Sequence, residues 1–308
     1  MKTKISVAIA VHNEEKNLPR VLASVKDWAD EVVVADGNSS DSSVEVAKKL
    51  GAKVIKAKHE PMFHKNKQKA IDACKNEWVL LLDADEEVSK ELRQEVGEVL
   101  NHQSSIINHQ ASGYWAPRKN IIFGKWMEHT GWWPDYQLRL FKKDAIKFPC
   151  KSVHEDPVLS GESAKLENPL LHYHYQSISQ FVERMNRYTD SDARLLHEKG
   201  EKIKWSDAIV WSADEFIKRY LVWEGYKDGL HGLVLSLLQA LSRVLVFAKI
   251  WEKNKFKEEN SDIMDKQVLN LTKNKIKEYK WWQKEKKINN SKSTMGKYFH
   301  KVTRKIIK

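Results

Sequence analysis

The 308-residue chain is long enough for one large domain or two modest ones with a sizeable core. Its 41% apolar and 31% charged residues are typical of a globular protein and exclude a disordered chain. Of the net charge of +11, residues 252–308 carry +10, which leaves +1 for the rest. The basic tail indicates nucleic acid or an anionic membrane as partner, or a solvated lysine-rich helix, whereas the nearly neutral body argues against a nucleic-acid-binding core.

The chain enters an apolar stretch at residue 5, directly after two lysines. Since no long apolar leader and no small-residue cleavage site precede it, we expect no signal peptide. Cys74 and Cys150 lie far apart and lack the spacing of metal ligands. We therefore expect two buried, reduced thiols in a cytosolic protein.

The first hundred residues alternate between apolar strands and helical stretches. Strands are predicted at 5–11, 31–36, 52–57 and 78–83, and helices at 17–28, after Ser40 or Asp41 up to Gly51, and at 65–76. This order predicts an α/β fold with a mainly parallel central sheet and helices on both faces. Ligands of such sheets bind beyond the carboxyl ends of the strands. Asp36 and Asp83 lie at two such ends.

The stretch "NEWVLLLDADEEV" (76–88) is an apolar run, typical of a buried strand, that is followed directly by a group of acids. A D-x-D triplet has little weight alone, and a second one occurs at Asp190 and Asp192 in a helical, exposed context. Asp83 and Asp85 close a buried strand, where side chains two residues apart point the same way. Two carboxylates there suit Mg²⁺ or Mn²⁺, completed by substrate phosphates. The alternative is that these acids lie at a helix N-terminus, where negative charge is stabilising.

Beyond residue 113 the pattern changes twice. Residues 113–175 are aromatic and punctuated by Gly and Pro, which predicts strands and ordered loops forming a second wall of a cleft. Residues 178–200 and 207–251 are helical in periodicity, and the basic tail follows. No G-x-G-x-x-G follows the first strand, which argues against a dinucleotide-binding oxidoreductase.

The order of "ISVAIAVHNEE", "EVVVADGNSSDSS", "KNKQKAIDACKNEWVLLLDADEE", "FGKWMEHTGWWPDYQLRLF", "VHED" and "LLHYHYQSISQFVERMNRY" resembles the family 2 glycosyltransferases. The similarity covers roughly residues 4–250 and is closest to the bacterial lipopolysaccharide-core beta-glucosyltransferase group. It implies the GT-A (nucleotide-diphospho-sugar transferase) fold with a C-terminal helical extension. It also implies metal-dependent, inverting transfer of a sugar from a nucleotide sugar, first of all a UDP-sugar.

By position, the resemblance assigns the donor site to residues at the strand ends. Asp36 is expected at the base or ribose, Lys67 near the phosphates, and Asp83 at the ribose or metal. Asp85 is expected on the Mg²⁺ or Mn²⁺ ion that bridges the diphosphate. The remaining expected donor-binding residues are Val11, His12, Asn13, Glu14, Ala84 and Arg139. For Arg139, bidentate pairing with the diphosphate and a plain ion pair on the sheet stay open.

Inverting transfer needs a base that takes the proton of the attacking hydroxyl. Glu155 matches the acid of the family's V-H-E stretch and is the first candidate, with Asp156 and Asp135 behind it. His154 is expected in the cleft wall, on the acceptor side. For Asp135, a salt bridge to Arg139 is the alternative to catalysis.

Trp126, Trp132 and Trp133 are either core residues or a platform for the acceptor sugar, and their Gly- and Pro-rich surroundings favour an exposed loop. His172 and His174 alternate on a predicted strand. Since no Cys or acid cluster lies near them in the sequence, we interpret them as satisfied core or cleft histidines rather than metal ligands.

Residues 230–251 form the most apolar stretch, but Gln239, Arg243 and Lys249 interrupt it. We predict an interfacial amphipathic helix rather than a membrane span, with packing on the catalytic domain or a second copy as the alternative. Residues 216–251 and the basic tail would then contact an anionic membrane surface.

These observations predict a catalytic domain at 1–178, a helical region at 179–252 and a basic tail at 253–308. Residues 1–100 would bind the nucleotide sugar and residues 101–178 the acceptor. We expect a cytoplasmic enzyme on the inner membrane that extends a lipid-linked saccharide such as lipopolysaccharide core. The alternatives are a protein or capsule glycosyltransferase of the same fold, and a non-catalytic nucleic-acid-binding protein, although we expect no nucleic acid as partner.

Overall fold

The structure is a computed structural model that describes residues 3–58, 60, 63–101, 111–149, 157–258 and 261–290. Its contacts divide the chain into two compact units. The first unit comprises residues 1–121 and 133–174, and the second comprises residues 122–132 and 175–308. Residues 122–132, which the sequence analysis assigned to the catalytic domain, therefore belong to the helical unit.

The first unit begins as alternating strands and helices, as predicted. Its strands are β1 (Ile5–Val11), β2 (Glu31–Asp36), β3 (Lys53–Lys56), β4 (Trp78–Asp83) and β5 (Glu86–Val88), and its helices are α1 (Leu18–Val25), α2 (Ser43–Lys49), α3 (His64–Asp72) and α4 (Lys90–Leu100). The later elements are β6 (Gly113–Ile122), β7 (Lys125–Trp126, in the second unit), β8 (Asp135–Lys142), a 3₁₀ turn (Lys143–Ala145), β9 (Ile146–Lys147), β10 (Val158–Leu159), β11 (Ser163–Lys165) and β12 (Leu170–Tyr175).

The main sheet has the strand order β3-β2-β1-β4-β8-β6-β12-β5. Strands β1 to β4 are parallel, as the alternation with helices requires, and β8 and β6 continue the sheet in antiparallel pairing. The predicted α/β architecture is therefore confirmed, with an antiparallel half that the fragmented pattern beyond residue 113 had left unspecified.

Apolar residues of the central strands pack against helices on both faces of the sheet. Val7, Ile9 and Leu80 lie in a cluster with α1 and α4, whereas Ala8 and Leu81 lie in a cluster with α3. Because successive strand residues point to opposite faces, a continuous apolar run such as residues 79–82 is buried on both sides.

The second unit is helical. It contains α5 (Ile178–Glu198), α6 (Asp207–Ile217), a π-helical turn (Lys218–Val222), a 3₁₀ turn (Gly225–Asp228), α7 (Leu230–Lys253) and α8 (Ser261–Asn290). The predicted helical stretch 207–251 is thus interrupted between residues 218 and 229. Within the basic tail, residues 261–290 form a lysine-rich helix that packs against α6.

Among the described helices, α7 alone is long and apolar enough to cross a membrane by length and composition. This is weak evidence, since core helices of soluble proteins meet the same criterion. The second D-x-D triplet lies in α5, where Asp190 pairs with Lys249 at 2.7 Å and Asp192 approaches Arg243 at 3.9 Å. This triplet therefore has a structural explanation within the helical unit.

Candidate functional site

Acidic side chains gather at the carboxyl ends of the parallel strands in the first unit. The register places Asp36 beside Val11 and Asp83 beside Ala10, so both acids flank the end of β1. Asp36 is buried, and its carboxylate accepts the backbone N–H of Ser39. We call Asp36, Asp83, Asp85 and the side chains that contact them the strand-end site.

The loops after β1 and β2 are tied to each other next to this site. Asn13 has a positive φ of 58°, its backbone N–H donates to Ser39 Oγ at 2.9 Å, and its side-chain oxygen accepts the N–H of Ser40 at 2.8 Å. The exposed His12 ring contacts the Gly37 carbonyl oxygen at 3.0 Å. These cross-links give the loop that the sequence analysis expected under the nucleotide a defined shape.

Space beside that loop is limited. A Cβ added at Gly37 would lie 3.0 Å from Asn66 Nδ2 and 3.2 Å from the Val11 carbonyl oxygen. Gly37 therefore lets the loop after β2 approach the end of β1 closely. Glu14, the last of the four predicted loop residues, donates its backbone N–H to Ser43 Oγ at 2.8 Å.

Both carboxylate oxygens of Asp83 have cationic partners. Lys67 Nζ lies 2.5 Å from Oδ1, and Arg139 Nη2 donates to Oδ2 at 2.6 Å. Burial by itself raises the pKa of the Asp83 carboxyl, but the charges of Arg139 and Lys67 outweigh burial and hold that pKa well below its usual range. Asp83 is therefore an ion-paired carboxylate, and its neighbour Ala84 is buried.

A β-bulge directs Arg139 toward Asp83. Between β6 and β8, Tyr114 pairs with Leu140 and the next residue, Trp115, pairs with Leu138, so Arg139 has no partner in the register. Bulges of this kind re-aim a side chain next to a functional site. The Arg139 side chain is 4% exposed and is bonded to Asp83 and Glu86. Its contacts are therefore those of an ion pair on the sheet, which was one of the two alternatives, and binding of diphosphate by Arg139 stays a prediction.

Glu86 is a site residue that the sequence analysis did not identify. Its side chain is fully buried and contacts Arg139, Arg118 and the backbone N–H of Asp83. The sequence contained one signal for it. Glu86 lies two residues after Ala84, which is buried, and residues two apart in an extended chain point to the same side.

Asp85 lies beside a pair of hydrogen-bonded histidines. Its Oδ2 is 3.6 Å from His172 Nε2, and the Asp85 carbonyl oxygen accepts the N–H of Tyr173. His172 is buried, with Nδ1 2.6 Å from Asn120 Oδ1 and Nε2 3.1 Å from His174 Nδ1. His172 therefore has hydrogen-bond partners at both ring nitrogens, as interpreted from the sequence.

Asp135 is held by neighbours other than the one predicted. The alternative raised from the sequence was a salt bridge to Arg139, but the cation that pairs with Asp135 is Arg118, with Nε at 2.9 Å and Nη2 at 2.6 Å from Asp135 Oδ2. Asn120 and Gln137 also donate to the carboxylate. Burial raises the pKa of Asp135, but Arg118 and these two hydrogen bonds outweigh it, so the pKa lies below its usual value.

The described residues contain no group of three or more His, Cys, Asp or Glu side chains arranged to hold a metal ion. Asp83 is poorly suited to ligation, because ligation would compete with Lys67 and Arg139 for its oxygens. Asp85 provides a partly exposed carboxylate at the same edge. The residues therefore fit an ion that takes one carboxylate from the protein and completes its shell with phosphate oxygens and water, as Mg²⁺ commonly does.

The three predicted acceptor tryptophans are all partly buried, but they divide between the two units. In the second unit, Trp132 packs against the cluster around Tyr175, and the Arg219 guanidinium lies 5.8 Å from its ring centre. Trp126 also belongs to the second unit, whereas Trp133 belongs to the first. The first candidate bases, Glu155 and Asp156, and the predicted cleft residue His154 lie outside the described residues, as does Cys150.

Comparison with known proteins gives matches across the chain. The family described as Glycosyl transferase family 2 matches residues 6–154, which include the whole strand-end site except His172 and its neighbours on β12. An uncharacterized glycosyltransferase of Rickettsia bellii (strain RML369-C) is 32% identical over 268 residues, which cover 81% of this chain and 86% of that protein.

More distant similarities extend the comparison. The lipopolysaccharide core biosynthesis glycosyltransferase LpsC of Rhizobium meliloti (strain 1021) is 24% identical over 266 residues, covering 83% of this chain and 95% of LpsC. Among solved structures, S. aureus TarS 1-349 in complex with UDP has a TM-score of 0.40 and 17% identity, covering 84% of this chain and 93% of that chain. By the family match and the extent of the rickettsial similarity, the chain belongs to glycosyl transferase family 2 and is a glycosyltransferase.

Proposed function

We propose that this enzyme transfers a sugar, with inversion, from a UDP-sugar to a hydroxyl group of a lipid-linked saccharide of the lipopolysaccharide-core type. The observation that carries the donor half of the proposal is the gathering of Asp36, Asp83 and Asp85 at adjoining strand ends, beside Lys67. The acceptor half is supported by the name and the full-length similarity of LpsC.

In this proposal the strand-end site binds the nucleotide diphosphate. Asp36 and the His12–Glu14 loop contact the nucleoside, and Lys67 contributes positive charge near the phosphates. Asp85 holds Mg²⁺ or Mn²⁺, which offsets the charge of the leaving diphosphate. Asp83, paired with Lys67 and Arg139, accepts hydrogen bonds from the ribose and keeps both cations in place.

The chemical step joins the acceptor oxygen to the anomeric carbon while the bond from that carbon to the diphosphate breaks. We propose Glu155 as the base that takes the hydroxyl proton, with Asp156 as the alternative. Asp135 is less suited, since its carboxylate is held by three side chains and its pKa is lowered, which weakens it as a proton acceptor.

A donor screen tests the first half. Thermal stability is measured with UDP-, GDP- and ADP-sugars, each with and without Mn²⁺, because a ligand that binds only the folded state raises stability by mass action. We expect stabilisation by a UDP-sugar that depends on Mn²⁺. Asp85→Ala should abolish it, whereas Asp192→Ala, in the helical D-x-D triplet, should bind as the wild type does. If every nucleotide fails to bind, the proposal is wrong.

The acceptor is tested with the donor that the screen identifies. Transfer is measured to a lipid-linked core saccharide, to the same saccharide after delipidation, to a capsule oligosaccharide and to a peptide. We expect transfer to the lipid-linked saccharide. Transfer only to peptide or only to capsule oligosaccharide would refute the proposed acceptor and favour the corresponding alternative enzyme.

We further propose that helix α7 rests on the anionic cytoplasmic face of the inner membrane. Its most exposed apolar side chains follow each other at intervals of 7, 4, 3 and 7 residues, which places them on one face. They are Leu230, Leu237, Leu241, Val244 and Trp251. The basic tail complements an anionic lipid surface, where each Lys or Arg near the surface contributes about 1 kcal/mol.

The cations of α7 do not interrupt this face. Lys249 Nζ lies within 2.9 Å of Asp190 Oδ1, Thr189 Oγ1 and the Asn186 carbonyl oxygen, all on α5. Arg243 approaches Asp192 on α5 and Glu215 on α6, each at 3.9 Å. Both cations are directed toward acids of α5 and α6, so neither lies among the exposed apolar side chains of α7.

Co-sedimentation with lipid vesicles tests this part. Binding is measured with phosphatidylglycerol-containing vesicles and with phosphatidylcholine vesicles. We expect Leu237→Glu with Leu241→Glu to lower binding to anionic vesicles at least about tenfold, since two exposed apolar side chains that would enter the membrane are replaced by charges. Val158→Glu, at an exposed apolar residue of the first unit, is the matched control. Unchanged binding, or dimerisation that the paired variant abolishes, would refute the membrane assignment.

A further inference from the structure

Glu86 is the most completely buried acid near the strand-end site. Its side chain has no exposed surface, and its carboxylate has three partners. Arg139 Nη2 donates to Oε1 at 2.5 Å, the backbone N–H of Asp83 donates to Oε2 at 2.9 Å, and Arg118 Nη1 lies 3.5 Å from Oε1. A carboxylate is stable in such a place only when charges and hydrogen bonds of this kind compensate it.

These partners come from three strands. Asp83 ends β4, Arg139 lies in the bulge of β8, and Arg118 lies on β6. Glu86 itself begins β5, where its backbone lies opposite His172 of β12. One side chain thus connects the turn after β4 to the strands that surround it.

The contacts of Glu86 converge on Asp83, the first aspartate of the D-x-D triplet. The bond to the Asp83 N–H fixes the turn that continues into Asp85. The bond to Arg139 holds the guanidinium whose same nitrogen also donates to the Asp83 carboxylate. Without Glu86, Arg139 would keep Asp83 as its only bonded carboxylate, and the start of the turn would lose a hydrogen bond.

We propose that Glu86 is a positioning residue for the donor. It fixes the turn from Asp83 to Asp85 and shares Arg139 with Asp83, so that Asp85 is presented to the metal and the diphosphate. This inference rests on the proposed function, since it assumes that Asp85 and Asp83 bind the donor complex. Residues that support metal ligands in this way typically change metal affinity or activity about 10- to 100-fold when they are replaced.

A buried glutamate elsewhere in the same unit provides a matched control. Glu95 is also buried, and its carboxylate accepts the backbone N–H groups of Glu167 and Asn168 at 2.8 and 2.9 Å. It therefore resembles Glu86 in burial and in hydrogen bonding, but its partners belong to a loop that carries no predicted site residue. Glu95→Gln reports the effect of losing a buried carboxylate as such.

The test compares Glu86→Gln, Glu86→Asp and Glu95→Gln with the full-length wild type. Titration calorimetry measures the Kd for UDP in the presence of MnCl₂ and the Mn²⁺ concentration that gives half-maximal UDP binding. Thermal unfolding without ligand is measured separately. We expect Glu86→Gln to weaken binding: the Kd for UDP and the Mn²⁺ concentration for half-maximal binding should each rise at least about tenfold, as for other residues that support metal ligands.

Glu86→Asp keeps the charge, so it should retain the fold and bind UDP with an affinity between those of the wild type and Glu86→Gln. Glu95→Gln should lower the unfolding temperature. Its Kd for UDP and its half-maximal Mn²⁺ concentration should stay within about twofold of the wild-type values, the range expected for a substitution remote from the site. Wild-type constants in Glu86→Gln and in Glu86→Asp would overturn the positioning role while leaving the proposed function intact. A wild-type protein that binds no UDP with Mn²⁺ would overturn both.

Discussion

The two aspartates of the D-x-D triplet should differ sharply in their contribution to stability. Asp83→Ala removes a carboxylate whose oxygens bond Lys67 at 2.5 Å and Arg139 at 2.6 Å. Arg139 is 4% exposed, so it cannot turn to water, and its remaining bonded partner is Glu86. Asp85→Ala removes a carboxylate whose Oδ2 lies 3.6 Å from His172 Nε2.

The magnitude follows from the burial of these pairs. Removing one partner of a buried ion pair costs about 3–5 kcal/mol of unfolding free energy, because the other charge stays buried without its counterion. The Asp83 side chain is 26% exposed and Arg139 keeps Glu86, so we expect the lower end, about 3 kcal/mol. For a cooperative unit of the size of the first unit, which contains Asp83, that corresponds to about 6–12 °C in the unfolding temperature. For Asp85→Ala we expect about 1 kcal/mol or less.

Thermal unfolding followed by circular dichroism, without nucleotide or metal, measures both variants under the same conditions. The loss in Asp83→Ala should change little between low and high salt, because buried pairs are weakly screened. Equal losses in the two variants, or an unchanged unfolding temperature in Asp83→Ala, would refute the conclusion that Asp83 is engaged mainly by protein cations.

Three further predictions concern other residues of the two units. The lowered pKa of Asp135 adds stability that is complete above its ordinary value of 3.8 and is lost as pH falls through the folded-state pKa. The midpoint of urea unfolding should therefore fall less steeply with decreasing pH in Asp135→Asn than in the wild type. Gly232→Ala should destabilise the helical unit by several kcal/mol, because its Cβ would lie 1.8 Å from the Gly225 carbonyl oxygen, whereas Gly97→Ala, with open space in α4, should stabilise by about 0.5–1 kcal/mol in urea unfolding. Burial raises the pKa of Cys74 to about 12, so in a variant lacking the other cysteine its thiol should not react with a thiol reagent at pH 8 until urea is added.

The sequence was sufficient to predict the parallel half of the sheet and the location of its acids. Continuous apolar runs such as 79–82 are diagnostic of strands buried on both faces, and an acid directly after such a run must emerge at the strand end. Asp36 and Asp83 lie at those ends in the structure. This part of the site depends on local pattern, which is why it could be read from the sequence.

The partners of those acids could not be predicted in the same way. Arg139 lies 56 residues after Asp83 in the sequence, and it contacts Asp83 through a bulge that places it outside the ordinary register. A one-residue insertion changes the face on which later residues lie, and nothing in the local alternation marks it. The same reasoning explains why the salt bridge considered for Asp135 was to Arg139, which is close in sequence, rather than to Arg118 on the neighbouring strand.

Helix α7 shows how packing changes the meaning of polar residues. In the sequence, Arg243 and Lys249 argue against a membrane span because they interrupt an apolar stretch. In the structure Lys249 pairs with α5 and Arg243 approaches acids of α5 and α6, so neither lies among the exposed apolar side chains. A spanning orientation would have to break these pairs and place the two cations in hydrocarbon, at about 2.5–3.5 kcal/mol each near the centre of a bilayer. The proposed contact in the plane of the interface keeps every one of these pairs, and this difference in free energy favours the proposal over a membrane span.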